Sequence, residues 1–412
     1  MRLLVLATAI ALLASPAQAD LIDQFPNACP EGQYRDLQST CAPLLRPGLG
    51  FERADFLADF APFASNVHTL SQCNEDQLEA ALGAVAQVGG GIVSIPACTI
   101  SVSGKLRVPS NTILRGSGPD TRLVAASGFD THLLDVEASK NVVIQDLSLI
   151  GAAASGKGIV IRTSQNLLVE RLGIDAFGHS NLMFRSSHGI TVRYVQSTNA
   201  KSYHGVDSKD CGPSDPSIPD IQECEATAGP LGSYGTVFSH DYAVYSSYFA
   251  GNGSHGIDIH ASDGEVAGNT SFDNTKAAKF PDAMSVLIHH NRFDGGEGIK
   301  FYSTHTVAGR RVRDVVLYRN EFRIPEDSYT FRAGEEIESL YAIDNHYDPE
   351  DVRVIMNPGD AVYTCSETED VQVVSYGYHS SQAAPVGFCT GTGLLSLFDE
   401  LAPPQPPTLL AR

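Results

Sequence analysis

The chain has few cations, and this excludes one broad class of partner. It holds 28 lysines and arginines against 48 aspartates and glutamates in 412 residues, a formal net charge of −20. Proteins that bind nucleic acid carry basic patches and usually a basic overall balance. We therefore expect no nucleic-acid partner.

Long hydrophobic runs are missing after residue 15. The one run present, LLVLATAIALLAS, follows Met1 and Arg2 and is too short to span a membrane comfortably. A positive start, a short apolar core and the small-x-small triplet Ala17–Ala19 are typical of a secretory signal peptide cleaved before Asp20. We expect residues 1–19 to be removed, no membrane partner, and a monomer that is secreted or periplasmic.

Several common site signatures are also absent. The sequence has no glycine-rich phosphate loop, no G-x-S-x-G and no HExxH. Its eight cysteines form no CxxC and no Cys/His cluster, so nothing indicates a zinc site. An even number of cysteines in an exported chain predicts disulfides. Their spacing suggests local pairs, although it leaves other pairings open: Cys29–Cys41, Cys73–Cys98, Cys211–Cys224 and Cys365–Cys389.

The most informative feature that is present is a repeat between residues 141 and 347, which no helical periodicity interrupts. Short strand-like runs, punctuated by Gly and Asn, begin at steps of 21 to 28 residues, apart from one step of 53. Such a period is typical of a solenoid. The long step fits one extra coil at 204–210 plus an inserted loop. The sequence predicts an all-β, single-stranded parallel β-helix.

A helix is predicted just before the repeat. Asn74 can cap it, and the glycines 89–91 can end it, which gives a helix over 75–88. An amphipathic helix at this point is expected to cap the open apolar end of a solenoid. Its apolar face would consist of Leu78, Leu82, Val85 and Val88.

Four regions follow from these features. After the signal peptide, residues 20–70 form a loop-rich segment with the first cysteine pair. The β-helix with its capping helix is expected over 71–350. Residues 351–412 lack the repeat, hold the last cysteine pair and end in a proline-rich tail.

The segment GGGIVSIPACTISVSGKLRVPSNTILRGSG (89–118), followed by coils such as GIDIHASDGEVAGNTSFDN (256–274), resembles the pectin-lyase-like superfamily of right-handed parallel β-helices. The resemblance covers about residues 70–350 and implies a right-handed coil. That superfamily includes polysaccharide lyases, uronate C5-epimerases, glycoside hydrolases, phage tailspikes and adhesins. A shared fold therefore does not choose the activity.

Alternation along the strands places polar residues outside the coils. With Ile257 and Ile259 inward, Asp258 and His260 are expected to face solvent. The segment 274–283 shows no clear strand and is expected to be a loop. Stacked coils would form one exposed strip with these further members: Arg162, Arg185, Asp207, Lys209, Lys300 and Tyr302. Cations in a strongly acidic protein suit an anionic polysaccharide, and the alternative is a polar face without a ligand.

The motif HGIDIH (255–260) resembles the Tyr-Gly-apolar-Asp-Pro-His signature of alginate C5-epimerases. The resemblance implies that Asp258 and His260 match the aspartate and histidine of that signature. His255 stands in place of the tyrosine, which transfers a proton in that family, so Tyr302 or His255 would take this role. The alternative is that apolar-Gly-Ile-x-Ile is an ordinary β-helix strand.

These residue types suit removal of the C5 proton of a uronate. Its carboxylate must be neutralised, for which the candidates are Arg185, Lys209, Lys300, or a Ca²⁺ ion held by Asp207 and Asp258. His260 is the expected base, and Tyr302 or Lys300 the expected acid. Return of the proton to C5 gives epimerisation, and protonation of O4 gives β-elimination. Further substrate contacts are expected from Arg162, His255 and Arg310.

Two other functions remain open. A glycoside hydrolase of the polygalacturonase type needs clustered carboxylates on adjacent coils, and the predicted register places Asp207 and Asp258 two coils apart. A non-catalytic binding protein would hold the polymer through the same cations and leave it unchanged.

Overall fold

The computed structural model describes most of the chain from residue 29 to residue 348, together with the backbone of three later strands. The described ranges are 29–30, 32–36, 39–152, 156–208, 239–302, 311–325, 328–334 and 337–348. The predicted signal peptide, the Cys211–Cys224 pair, the side chains of the Cys365–Cys389 pair, Lys209 and Arg310 lie outside this part.

The described residues form a parallel β-solenoid, which confirms the predicted fold class. The helices are α1 (Arg53–Phe60) and α2 (Glu75–Val88), and Ala61–Phe63 is a 3₁₀ turn. The strands are β1 (Gln33–Arg35), β2 (Cys41–Pro43), β3 (Val67–Thr69), β4 (Gly91–Ser94), β5 (Thr99–Val102), β6 (Leu106–Arg107), β7 (Thr112–Arg115), β8 (Arg122–Ala125), β9 (His132–Glu137), β10 (Lys140–Ile150), β11 (Lys157–Arg162), β12 (Gln165–Asp175), β13 (Leu182–Arg185), β14 (His188–Arg193), β15 (Gln196–Thr198), β16 (Val206–Ser208), β17 (His240–Tyr245), β18 (Tyr248–Ala250), β19 (His255–Ile259), β20 (Ser262–Ala267), β21 (Thr270–Phe272), β22 (Lys276–Pro281), β23 (Met284–His289), β24 (Arg292–Asp294), β25 (Glu297–Tyr302), β26 (Arg313–Tyr318), β27 (Glu321–Arg323), β28 (Phe331–Ala333), β29 (Leu340–Ile343), β30 (His346–Tyr347), β31 (Val354–Ile355), β32 (Val362–Cys365) and β33 (Ser381–Ala383).

Each coil contributes strands to three faces, and all the ladders between coils are parallel. The first face includes β14, β17, β20, β23, β26 and β29. The second includes β15, β18, β21, β24 and β27. The third is a ten-stranded sheet in the order β6, β9, β11, β13, β16, β19, β22, β25, β28, β31.

Two local predictions of register are wrong. His188 pairs directly with His240, and Asp207 with Asp258, so the step of 53 residues is one coil with an insertion and not two coils. The segment predicted as a loop at 274–283 contains β22, which pairs with β19. Register follows the stacking of inward apolar residues, such as Val206 on Ile257, and the insertion hides this stacking in the sequence.

The interior is a continuous stack of aliphatic and aromatic side chains, such as the buried Ile257, Ile259 and Phe301. A ladder of asparagines closes one corner. Asn291 accepts hydrogen bonds from the backbone N–H and the side chain of Asn269, and its own Nδ2 lies 2.8 Å from the Val266 carbonyl. Asn320 repeats the pattern one coil later. These asparagines satisfy backbone groups that a turn would otherwise leave buried and unpaired.

The N-terminal segment packs on the outside of the first face. Phe56 and Phe60 of α1 are buried against Val143 and neighbouring apolar residues. Glu265 accepts the backbone N–H groups of Leu45 and Arg46 at 2.7 and 3.0 Å. The described part of this segment therefore packs on the first face.

The predicted helix over 75–88 is present as α2. Asn74 accepts the N–H of Gln77, and Gly89 adopts a left-handed conformation at the C-terminal end. Val88 is 57% exposed, whereas Ala81 is buried on the apolar face, so the predicted face is shifted by part of a turn. The role of α2 as a cap stays a prediction.

Two of the four predicted cysteine pairs are confirmed, Cys29–Cys41 and Cys73–Cys98. The parallel ladders continue past residue 350, the predicted end of the coils, as far as β33. Among the described residues, no helix combines the length and hydrophobicity of a membrane span.

Candidate functional site

The candidate site lies on the third face, where five outward positions form one row. Asp207, Asp258, Lys279, Lys300 and Arg332 are successive Cα partners on β16, β19, β22, β25 and β28. Adjacent strands are about 4.8 Å apart, so the row is continuous. The predicted alignment of Lys300 with Asp258 is confirmed.

Asp258 is the centre of the site. Its side chain has no exposed surface, and three nitrogen atoms surround it. Its Oδ2 lies 3.0 Å from both His204 Nε2 and Lys279 Nζ, and its Oδ1 lies 3.2 Å from His260 Nε2. The sequence predicted that Asp258 faces solvent, which is wrong, because these neighbours cover it.

The electrostatics keep Asp258 charged. Burial alone raises the pKa of a carboxyl group, but Lys279, His204 and His260 outweigh it and hold the pKa of Asp258 well below its usual range. The same ion pair overcomes the effect of burial on Lys279 and raises its pKa. Asp258 therefore acts as a fixed anion that orients its partners.

Tyr302 is connected to this centre through Lys279. Lys279 Nζ and Lys300 Nζ lie 5.5 and 4.5 Å from the centre of the Tyr302 ring. Burial raises the pKa of Tyr302, while the positive charge of Lys279 lowers it, and the net direction is upward. Tyr302 therefore keeps its proton at neutral pH, and Lys279 can stabilise the phenolate once the proton leaves.

His204 and His255 form a buried pair behind Asp258. Their Nδ1 atoms are 3.3 Å apart, and His255 Nδ1 also lies 3.0 Å from Ser254 Oγ. Burial lowers the pKa of His255 to about 2, so this imidazole is neutral. His204 Nδ1 accepts the backbone N–H of His255, which leaves the proton on Nε2, facing Asp258.

His204, His255 and Asp258 offer ligand atoms that lie within 4.8 Å of one another. The donor set fits a proton network better than a cation. A lone pair is needed to bind a metal, and the Nε2 of His204 carries a proton toward Asp258. Ca²⁺ takes six to eight oxygen ligands, and nitrogen atoms surround the carboxylate of Asp258. These residues therefore do not fit the predicted Ca²⁺ between Asp207 and Asp258.

Asp207 lies on the strand next to Asp258, and the predicted separation of two coils is wrong. Its side chain is fully buried, and its Oδ2 accepts the hydroxyl hydrogen of Ser180 at 3.0 Å. Because its side chain is fully buried, Asp207 can position neighbouring residues of the site but is not exposed to a ligand.

The predicted cations at the other end of the strip are not exposed. Arg162 is 5% exposed, and its Nη2 lies 2.9 Å from Asp135 Oδ1. Arg185, its Cα partner on β13, is 3% exposed. A buried arginine needs a carboxylate or another acceptor, and the sequence does not show that Asp135, 27 residues earlier, supplies one.

Sequence reasoning missed three members of the site, His204, Lys279 and Arg332. The alternation Ala278-Lys279-Phe280 signals an outward lysine once the segment is read as a strand. His204 has no such signal, since it precedes β16 at a corner of the coil.

Comparison with known proteins places this geometry on a known fold. The sequence profile described as "Right handed beta helix region" matches residues 157–321. No curated protein sequence matches the chain.

Several solved structures are similar to the chain. A surface adhesin of Streptococcus pneumoniae has 13% identity and a TM-score of 0.54, over 70% of this chain and 87% of that one. An alginate lyase from Paenibacillus sp. FPU-7 has 14% identity and a TM-score of 0.51, over 71% and 99%. The A-module of a mannuronan C-5 epimerase from Azotobacter vinelandii has 14% identity and a TM-score of 0.46, over 74% and 91%. At such identities the likeness concerns the fold alone, and the chain has the fold of a right-handed parallel β-helix.

Proposed function

We propose that the protein acts on a uronate polysaccharide such as alginate by removing the C5 proton of a uronate unit, as a lyase or a C5-epimerase. The observation that carries the proposal is the buried anion Asp258, which lies beside a base candidate, His260, and is paired with Lys279. The ammonium group of Lys279 lies 5.5 Å from the ring centre of an acid candidate, Tyr302. Two further cations, Lys300 and Arg332, continue the same row.

The substrate carboxylate requires a positive charge next to it. Removal of the C5 proton places negative charge on the carbon next to this group, and a fixed cation stabilises it. Lys279 is already paired with Asp258, but Lys300 has no ion pair among the described residues. Lys300 therefore supplies the charge that neutralises the carboxylate of the reacting unit.

His260 is the proposed base. Its side chain is 15% exposed, so one edge reaches the surface of the third face. His260 Nε2 lies 3.2 Å from Asp258 Oδ1, at ion-pair distance but without the geometry of a hydrogen bond. A buried carboxylate at this distance stabilises the imidazolium that forms when the proton is taken up. Asp258 is thus a positioning residue, and His260 is the group that touches the substrate.

Tyr302 is the proposed acid. It lies two strands beyond His260 on the same face, roughly 10 Å away by strand spacing. Pro281, the Cα partner of Tyr302, lies between them and is buried. This leaves room for a sugar ring between base and acid. Proton return to C5 gives epimerisation, and protonation of O4 gives elimination.

Hydrolysis needs a different arrangement of carboxylates. A glycoside hydrolase requires one carboxyl group that gives a proton to the leaving oxygen. Asp207 and Asp258 are adjacent, but both are fully buried, and the pKa of Asp258 is far below its usual range. Neither carboxyl group can serve as that acid, which supports proton abstraction over hydrolysis.

The proposal also includes export of the protein to an oxidising compartment. The disulfides Cys29–Cys41 and Cys73–Cys98 support it, because such bonds persist outside the cytosol. An anionic polysaccharide outside the cell or in the periplasm is then the accessible substrate.

Proton NMR of uronate polymers after incubation with the purified protein tests the reaction. Olefinic signals indicate a lyase, and inverted anomeric signals without cleavage indicate an epimerase. Tyr302→Phe is expected to lower kcat by about 10²–10⁴-fold, and Tyr248→Phe, at an exposed tyrosine on the second face, is the matched control. New saturated reducing ends, or unchanged spectra across the panel, would overturn the proposal.

A further inference from the structure

We infer that Arg332 binds the carboxylate of the uronate next to the reacting unit, so that the protein selects runs of consecutive uronates over chains in which uronates alternate with neutral sugars. The inference rests on the proposed function and adds a specificity site that sequence reasoning did not find.

The positions of Lys300 and Arg332 on the third face support the inference. Lys300 and Arg332 are Cα partners on adjacent strands, and both point outward on the third face. The distance between adjacent strands is about 4.8 Å, which is comparable to the length of one sugar unit in an extended 1→4-linked chain. A polymer that lies along the row therefore brings two neighbouring uronates to Lys300 and Arg332, whose long side chains can reach their carboxylates.

The neighbouring lysines are already paired with carboxylates. Lys279 is held by Asp258, and Lys276 lies 3.4 Å from Glu297. Glu297 also accepts the Tyr329 hydroxyl hydrogen at 2.6 Å. In the part of the chain that is described, Lys300 and Arg332 have no carboxylate partner within ion-pair distance. Two neighbouring positive charges are therefore left for ligands.

The cations of the row repel one another. Burial lowers the pKa of Lys300, and the charges of Arg332, Lys276 and Lys279 lower it further. Glu297 opposes this effect without reversing it. Carboxylates bound along the row would relieve the repulsion, which favours a ligand with more than one acidic group.

The two cations have different surroundings, and this assigns their roles. Lys300 packs over the Tyr302 ring at 4.5 Å, so its ligand is the unit that reacts with Tyr302. Arg332 is exposed one strand further on, and its planar guanidinium can hold a carboxylate through two hydrogen bonds. Its ligand is therefore the neighbouring unit.

Binding measured in the His260→Ala background tests the inference without turnover. The probes are oligouronates with consecutive uronates and oligosaccharides of equal length in which uronates alternate with neutral sugars, at one fixed salt concentration. We expect the consecutive chain to bind about tenfold more tightly, as for one charge-assisted contact. Arg332→Ala should remove this preference, and Arg332→Lys should restore part of it.

Arg323→Ala is the matched control, because Arg323 is exposed on the second face and paired with Glu321. An unchanged preference in Arg332→Ala, or no preference in the parent, would overturn the inference. If no polymer is turned over by the wild type but the binding preference depends on Arg332, the proposed reaction fails and the specificity site stands.

Discussion

Lys279→Met removes the ammonium group that lies 3.0 Å from Asp258 and keeps an apolar side chain of similar reach. Asp258 has no exposed side-chain surface and Lys279 only 15%, so water cannot replace the lost charge. Breaking a buried ion pair by removing one partner costs about 3–5 kcal/mol. His204 and His260 lie 3.0 and 3.2 Å from the carboxylate and stay beside it in the variant.

We expect a loss in the free energy of unfolding of about 3 kcal/mol or more at pH 8, because Asp258 is left buried without its cation.

Urea unfolding at pH 8 measures this effect. Adding Asp258→Asn to Lys279→Met should recover most of the loss, because no buried charge then remains. Lys276→Met is the control, since its partner Glu297 is 41% exposed and such a pair contributes at most about 1 kcal/mol. A loss below about 1 kcal/mol at pH 8, or a double variant no more stable than the single one, would refute the reasoning.

Three further predictions concern the fold. Burial raises the pKa of Asp241 to about 6, so the folded state loses stability as the pH rises from about 4 to 6. Asp241→Asn should abolish this decline, which is worth about 2–3 kcal/mol. Equal pH profiles of the urea midpoints of both proteins would contradict the prediction. Asn291→Ala removes a buried link of the corner ladder and should cost about 2–4 kcal/mol by urea unfolding; a cost below 1 kcal/mol would show that the ladder is not needed. Replacing Cys73 and Cys98 by serine opens a link between residues 25 apart and should cost about 3 kcal/mol relative to the oxidised wild type. The difference should vanish when the wild type is reduced, and a difference that persists would contradict the prediction.

The parts of the fold that could be predicted from the sequence are those set by local patterns. The cap at Asn74, the glycine end of α2 and the outward positions of Lys300 and Tyr302 follow from neighbouring residues. The glycine of HGIDIH has a packing reason, since a Cβ at Gly256 would lie 2.4 Å from Ser271 Oγ. That glycine therefore carries no information about catalysis.

The parts that could not be predicted depend on which coil stacks on which. The insertion between β16 and β17 concealed that Asp207 and Asp258 are neighbours. Ion pairs between coils are equally hidden: Arg162 was expected to bind substrate, but it is paired with Asp135. Because the face of a residue follows from local alternation and its partner does not, the charged strip was identified while its pairing was missed.

The most direct test of the central claim is the fate of a deuterium label placed at C5 of the uronate polymer. Lyase and epimerase chemistry both break the C5–H bond, so we predict that the wild-type protein releases the label into water as product forms, and that His260→Ala releases none. Product formed with the C5 label retained would contradict the claim, as would a label that stays in every uronate polymer tested.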